Sequence, residues 1–171
     1  MRKTIIGVMG PGNHPTEIDL HRAYRLGQLI AQEGWVLLTG GRKVGVMDAA
    51  SKGAQVAGGL TVGILPDDNT SEISEAVDIA IITNMDSARN NINVLSSDVV
   101  IACGMGTGTA SEVALALKNG KQVVLLTDDQ DSQRFFSNLS PEQVFLVNSP
   151  EAAIKLVKEL GIGNRESGIG N

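Results

Sequence analysis

Three glycine-rich segments carry the strongest chemical signal in this sequence. They are Gly10-Pro11-Gly12-Asn13, Thr39-Gly40-Gly41-Arg42-Lys43-Val44-Gly45 and Gly104-Met105-Gly106-Thr107-Gly108-Thr109. Glycine lets backbone amides approach a ligand, and the second and third segments run into helical patterns whose N-termini add partial positive charge. One such segment alone reads as a tight turn between a strand and a helix. Three at one edge of a sheet read as an anion cradle, most simply for phosphate. The candidate ligand contacts are Gly10, Asn13, Gly40, Gly41, Val44 and Gly45, with Gly104, Met105, Gly106, Thr107, Gly108 and Thr109. Two charged residues border them. Glu112 is expected in the first turn of the helix opened by the third segment, either as a capping acid or as a group for ribose hydroxyls and acid–base chemistry. Arg89 is expected on the preceding helix beside an apolar stripe, either solvated or as a bidentate partner for phosphate or a leaving group.

Other chemistries fit poorly. A dinucleotide fingerprint needs Gly-x-Gly-x-x-Gly after the first strand and an acid ending the second. Here Gly10 and Gly12 are followed by Pro15, and the second strand ends in Thr39-Gly40-Gly41. No Gly-Lys-Ser/Thr tripeptide supplies a Walker loop. Cys103 has no histidine near it in sequence to activate a thiolate. His14 and His21 with one cysteine make no metal set, and no metal is expected. His14 lies near the first glycine segment and is a weaker ligand candidate. The acidic Asp128-Asp129-Gln130-Asp131 run reads as a solvated loop.

These residues need a scaffold that brings three loops to one edge. Apolar, β-branched runs predict strands at 4–9, 35–39, 60–65, 77–83, 98–103, 122–127 and 144–147. Helical spacing fills 20–34, 44–57 and 150–160. Met85, Ala88, Ile92 and Leu95 make an apolar stripe on a third helix, and 109–119 is apolar nearly all round, so it is expected to be buried. Residues 67–75 are polar without a clear helix. Continuous apolar strands separated by helices predict an α/β fold. It is a single Rossmann-like doubly wound domain, about seven mostly parallel strands with helices on both faces. Ligands of such folds bind at the carboxyl ends of the strands, near the switch point. The domain is expected to cover 1–161, with 162–171 a flexible tail.

Composition bounds the function further. The 171 residues include 20 glycines, nearly twice the usual share, yet 42% are hydrophobic, which excludes a disordered chain. A net charge of −5 argues against nucleic acid as the main partner. The single cysteine fits a reducing compartment. The apolar start is broken by Pro11, Asn13, His14 and Glu17, too early for an export signal, and no run reaches the ~18 apolar residues of a membrane span. The expectation is a cytoplasmic protein without a membrane partner.

The combination resembles the LOG (Lonely Guy) superfamily. Gly40-Gly41 with Val44-Gly45-Val46-Met47, then Ala57-Gly58-Gly59 and Gly63-Ile64-Leu65-Pro66, is similar to its Tyr-Gly-Gly-Gly-x-x-Gly-Leu-Met and Ala-Gly-Gly-x-Val-x-Gly-Val-Ile-Pro patterns. The signature Pro-Gly-Gly-x-Gly-Thr-x-x-Glu falls on 104–112, and the arginine of a Met-His-x-Arg-Lys segment falls on Arg89. The likeness runs over residues 5–127. It implies a phosphoribohydrolase that cleaves the N-glycosidic bond of a nucleoside 5′-monophosphate and needs no catalytic cofactor. Gly106, Thr107, Gly108 and Thr109 would then cradle the 5′-phosphate, while Glu112 grips the ribose and stabilises oxocarbenium-like charge with Arg89 as its partner. The superfamily's old lysine decarboxylase label has no support, because pyridoxal chemistry needs a Schiff-base lysine and these loops hold only Lys43.

The sequence also departs from the hydrolase pattern. Gly104 replaces the signature proline, Met105 its first glycine and Asn90 the lysine, and Asp86-Ser87 stands where the histidine is expected. The short length and Gly45-Val46-Met47-Asp48-Ala49-Ala50 look closer to the molybdenum-cofactor carrier proteins of the same superfamily. Two expectations result. The first is a binding or carrier protein for a phosphorylated small molecule, molybdenum cofactor-like or a nucleotide; the second is a LOG-type phosphoribohydrolase. The resemblance further implies a homo-oligomer, dimer or tetramer.

Overall fold

In the computed structural model, which describes residues 2–162, strands and helices alternate along the chain. The first half is β1 (Ile5–Met9), α1 (Glu17–Gln32), β2 (Val36–Thr39), α2 (Gly45–Val56), β3 (Leu60–Leu65) and β4 (Ile79–Ile82). A 3-10 turn (Asp86–Ala88) leads into α3 (Arg89–Ser96), β5 (Val99–Cys103), α4 (Thr107–Lys118) and β6 (Val123–Leu126). α5 (Gln130–Leu139), β7 (Val144–Leu146) and α6 (Pro150–Glu159) complete it. Of the expected flexible tail, Ile162 packs on the core and 163–171 lie outside the described residues.

The seven strands form one parallel sheet in the order β4-β3-β2-β1-β5-β6-β7. The chain lays β1 to β4 outward on one side, returns to the centre, and lays β5 to β7 on the other. That is the expected doubly wound α/β fold, with its switch point between β1 and β5, where Met9 pairs Ala102. Successive strand residues point to opposite faces, so each strand must be apolar on both. Ile6, Val8, Leu37 and Ile101 pack with α1, α2 and α6. Met9, Leu38, Val100 and Leu125 pack with α3, α4 and α5.

Local chemistry starts the helices. Thr16 and Asp19 form a capping box on α1, the Asp19 amide donating to Thr16 Oγ1 at 3.1 Å and the Thr16 amide to Asp19 Oδ2 at 3.0 Å. Ser149 caps α6, with Pro150 at its first position.

Three expectations are corrected. The acidic 128–131 run is a loop only over Asp128 and Asp129; Asp129 caps α5 by accepting from the Ser132 amide, and Gln130 and Asp131 lie in the first turn. Of the stripe of Met85, Ala88, Ile92 and Leu95, only Ile92 packs against the core. Met85 precedes the helix, Met85, Ala88 and Leu95 are exposed, and the inward face of α3 is polar: Arg89, Asn90 and Asn93, with Val94. α4 buries one face through Thr109, Glu112, Val113, Ala116 and Leu117, leaving Ala114 exposed, so it is not sunk all round.

Candidate functional site

The sheet order places the three glycine loops side by side, because β2, β1 and β5 are neighbours and each loop follows the carboxyl end of one of them. They enclose a cavity of about 380 Å³. Gly10 and Asn13 line it from the first loop, Gly40 from the second, and Gly106, Thr107, Gly108 and Thr109 from the third, with Arg89 and Glu112 beside them. Gly41, Val44, Gly45, Gly104 and Met105 are not among the lining residues. They shape the loops instead. Gly45, at φ +54°, packs on the Pro11 carbonyl, which also accepts from the Val46 amide at 3.1 Å, and Met105 packs into the α3–α4 side of the core. The α2 N-terminus is therefore partly used by the protein itself.

The α4 N-terminus is open to the cavity. Its N-cap, Gly106, has no side chain to accept from the first turn, and the early amides of a helix lack intrahelical partners. Thr109 Oγ1 is buried there without a hydrogen-bond partner, in a residue 2% exposed. Uncapped amides, a free hydroxyl and the helix dipole together make a site for phosphate oxygens.

Arg89 is the first residue of α3, not a member of its apolar border. Its guanidinium lies 3.6 Å from Glu112 Oε1, and its Nη1 donates to Asn90 Oδ1 at 2.8 Å. Asn90 Nδ2 donates to Ser111 Oγ at 2.9 Å, and Ser111 Oγ to the Gly108 carbonyl at 2.7 Å, so α3 is tied to the first turn of α4. Glu112 stands in the second turn of α4, which removes the capping role expected for it. It accepts from Asn93 Nδ2 at 2.8 Å and is 6% exposed. Burial raises its carboxyl to about 7, against the opposing pull of Asn93 and Arg89. Burial also lowers the pKa of Arg89, outweighing Glu112's support. The result is a carboxyl poised near neutrality beside a buried cation, competent to accept, hold or donate a proton.

Cys103 offers no comparable group. Burial pushes its thiol to about 12, and Sγ donates to the Asp19 carbonyl at 3.4 Å. His14 is exposed and does not line the cavity. Among the described residues no cluster of three His, Cys, Asp or Glu side chains is arranged for a metal ion. Sequence reasoning did not single out Arg42, Met47 or Asn90 as lining residues. Asn90 had left a trace, as a departure from the Arg-Lys pattern. Arg42 had none.

Comparison with known proteins agrees with this geometry. A model of the SLOG cluster4 family matches residues 3–154. The structure of the molybdenum cofactor binding protein from the phototrophic bacterium Rippkaea orientalis superposes with a TM-score of 0.92 at 67% identity, covering 94% of this chain and 98% of that one. The Moco carrier protein of Chlamydomonas reinhardtii gives a TM-score of 0.87 at 53% identity, over 93% and 98%. A cytokinin riboside 5′-monophosphate phosphoribohydrolase of Mycobacterium tuberculosis is 34% identical over 109 residues, 62% of this chain and 58% of that protein.

Proposed function

Because the chain belongs to the SLOG cluster4 family, we propose that it binds and carries a phosphorylated small molecule of the molybdenum-cofactor type. The observation that carries this reading is the uncapped α4 N-terminus with the unpartnered Thr109 hydroxyl, opening on a cavity of about 380 Å³. The likeness to a molybdenum cofactor binding protein and a Moco carrier protein over nearly the whole chain supports the cargo's class. Backbone amides of Thr107 and Gly108 hold the phosphate monoester, and Thr109 donates its hydroxyl. No bond is made or broken in this role, and the cofactor is cargo. The lone Cys103 supports a reducing, cytoplasmic setting.

The test is capture of molybdenum cofactor by the purified chain and its delivery to a cofactor-free molybdoenzyme. Thr109→Val should weaken capture roughly tenfold, the scale of one hydrogen bond to a charged group, while Tm shifts by only a few degrees. Capture unchanged in that variant would sink the α4 cradle.

A second reading, nucleoside 5′-monophosphate phosphoribohydrolase, is favoured by one feature: the Arg89–Glu112 pair, with a carboxyl near 7, stands beside the phosphate cradle. Incubation with AMP and detection of free base decides it. Turnover lost in Glu112→Gln would establish the hydrolase; no base released from any nucleotide would dismiss it. Asn90, where the hydrolase pattern has lysine, weighs toward the carrier.

Self-association belongs to the same proposal. β4 is an edge strand whose Ile79, Ala80, Ile81 and Ile82 are all exposed, continuing into exposed Met85 and, on α3, Leu95. Native edges are usually protected by charge, proline or a covering element, and this strand carries none of these. A second copy of this chain, presenting the same charge-free face, is the occupant that fits.

A further inference from the structure

Two arginines reach the cavity beside the α4 cradle. Arg89 comes from the first turn of α3 and Arg42 from the loop after β2. In each, Nε is buried without a hydrogen-bond partner. Arg89 is 91% buried by its exposure of 9% and is matched by Glu112, whereas among the described residues no carboxylate pairs with Arg42. Asp86 lines the same cavity and, with Asp67, acts on Arg89, but both carboxylates are exposed and screened by water.

The fold holds both arginines in place. The Arg42 backbone is pinned by an antiparallel bridge to Ile73, with the Lys43 amide donating to the Glu72 carbonyl at 2.8 Å and the Ser74 amide to the Gly41 carbonyl at 2.9 Å. Gly40 makes room for the other: a Cβ there would stand 2.7 Å from Arg89 Nη2. Relative to the hydrolase pattern, the chain has exchanged a lysine for Asn90 and a glycine for Arg42.

Two guanidinium groups facing one partly desolvated space repel each other, and an anion accepting from both relieves that repulsion. Since β1 lies between β2 and β5, strand spacing sets the Arg42 loop about 10 Å from the α4 N-terminus. We propose that Arg42 and Arg89 form a second anion subsite, so that the cavity takes a ligand with anionic oxygens at both ends. A phosphate monoester sits at α4, and a compact oxyanion or the oxo face of a metal centre sits at the arginines. This rests on the carrier reading, because a molybdenum cofactor has those two ends, a phosphate and an oxygen-ligated metal.

The experiment titrates the full chain calorimetrically with molybdate. Two equivalents should bind, because the α4 cradle and the arginine subsite each take a compact oxyanion. Arg42→Gln should weaken one equivalent at least tenfold and leave the other within twofold, Thr109→Val should weaken the other, and Arg42→Lys should recover part of the Arg42→Gln loss; thermal unfolding verifies that the variants are folded. A single equivalent in the wild type, two equivalents untouched by Arg42→Gln, or no molybdate binding at all would overturn the subsite. Failure of the carrier reading registers separately, as no capture of molybdenum cofactor by the wild-type chain whatever molybdate does.

Discussion

Arg89 and Glu112 are buried together, and neither gains enough from the other to offset what burial removes from it. This has a consequence in pH. The folded chain holds a proton on Glu112 up to about 7, where the unfolded chain releases it near 4.5. Glu112 therefore adds most to stability below pH 4.5, and that contribution is lost as pH rises to about 7, then levels. Wild-type Tm should fall across this window relative to Glu112→Gln, whose profile lacks the step; parallel profiles would contradict the buried-proton account. Gly40 gives a second handle. Gly40→Ala would crowd Arg89 Nη2 at 2.7 Å and Met47 Sδ at 2.6 Å, both ends of flexible side chains. The chain should stay folded while cofactor capture drops about tenfold, since ~1.4 kcal/mol of misplaced guanidinium contact is a factor of ten. Arg89, Glu112 and Thr109 were legible as members of spaced motifs. Arg42 was not, because its neighbour Lys43 is an ordinary exposed cation, and the contacts that hold Arg42 come from 72–74, a stretch without any periodic pattern.

At the scale of elements, α1 and α2 approach closely at two glycines. A Cβ at Gly27 would lie 2.0 Å from the Ala50 carbonyl oxygen, and one at Gly53 would lie 1.9 Å from that of Tyr24. Both obstacles are backbone, so no side chain can yield. Gly27→Ala or Gly53→Ala should cost ~1–3 kcal/mol of overpacking despite alanine's better helix propensity, measured by urea unfolding. Asp129→Ala, which removes the α5 cap, should cost ~1 kcal/mol. The strands were readable because each is a continuous apolar run. α5 was not, because its apolar residues are confined to Phe135, Phe136 and Leu139 near its end, too few to stand out in a polar stretch. α3 shows the opposite failure. Periodicity reveals that a helix has an apolar side, but not whether that side meets the core of its own chain or lies outside it.

For the molecule as a whole, the sheet order was legible in outline, since right-handed crossovers between buried strands leave few alternatives. The exposed flank of β4 and α3 was not foreseen, and it is where assembly is expected. If this face pairs, the wild-type chain should run as an oligomer in light scattering behind size exclusion, and Leu95→Glu or Ile81→Lys should make it a monomer; a wild-type chain that runs as a monomer at tens of micromolar would dispose of the proposed interface. α3 then carries a further meaning. Its eight residues present Arg89 and Asn90 to the cavity on one side and Leu95 to the surface proposed for self-association on the other. Were a second copy to dock there more tightly on loaded chains than on empty ones, occupancy and protein concentration would become linked variables. Dilution would then loosen the hold on cargo: a carrier that releases most readily where it is scarce.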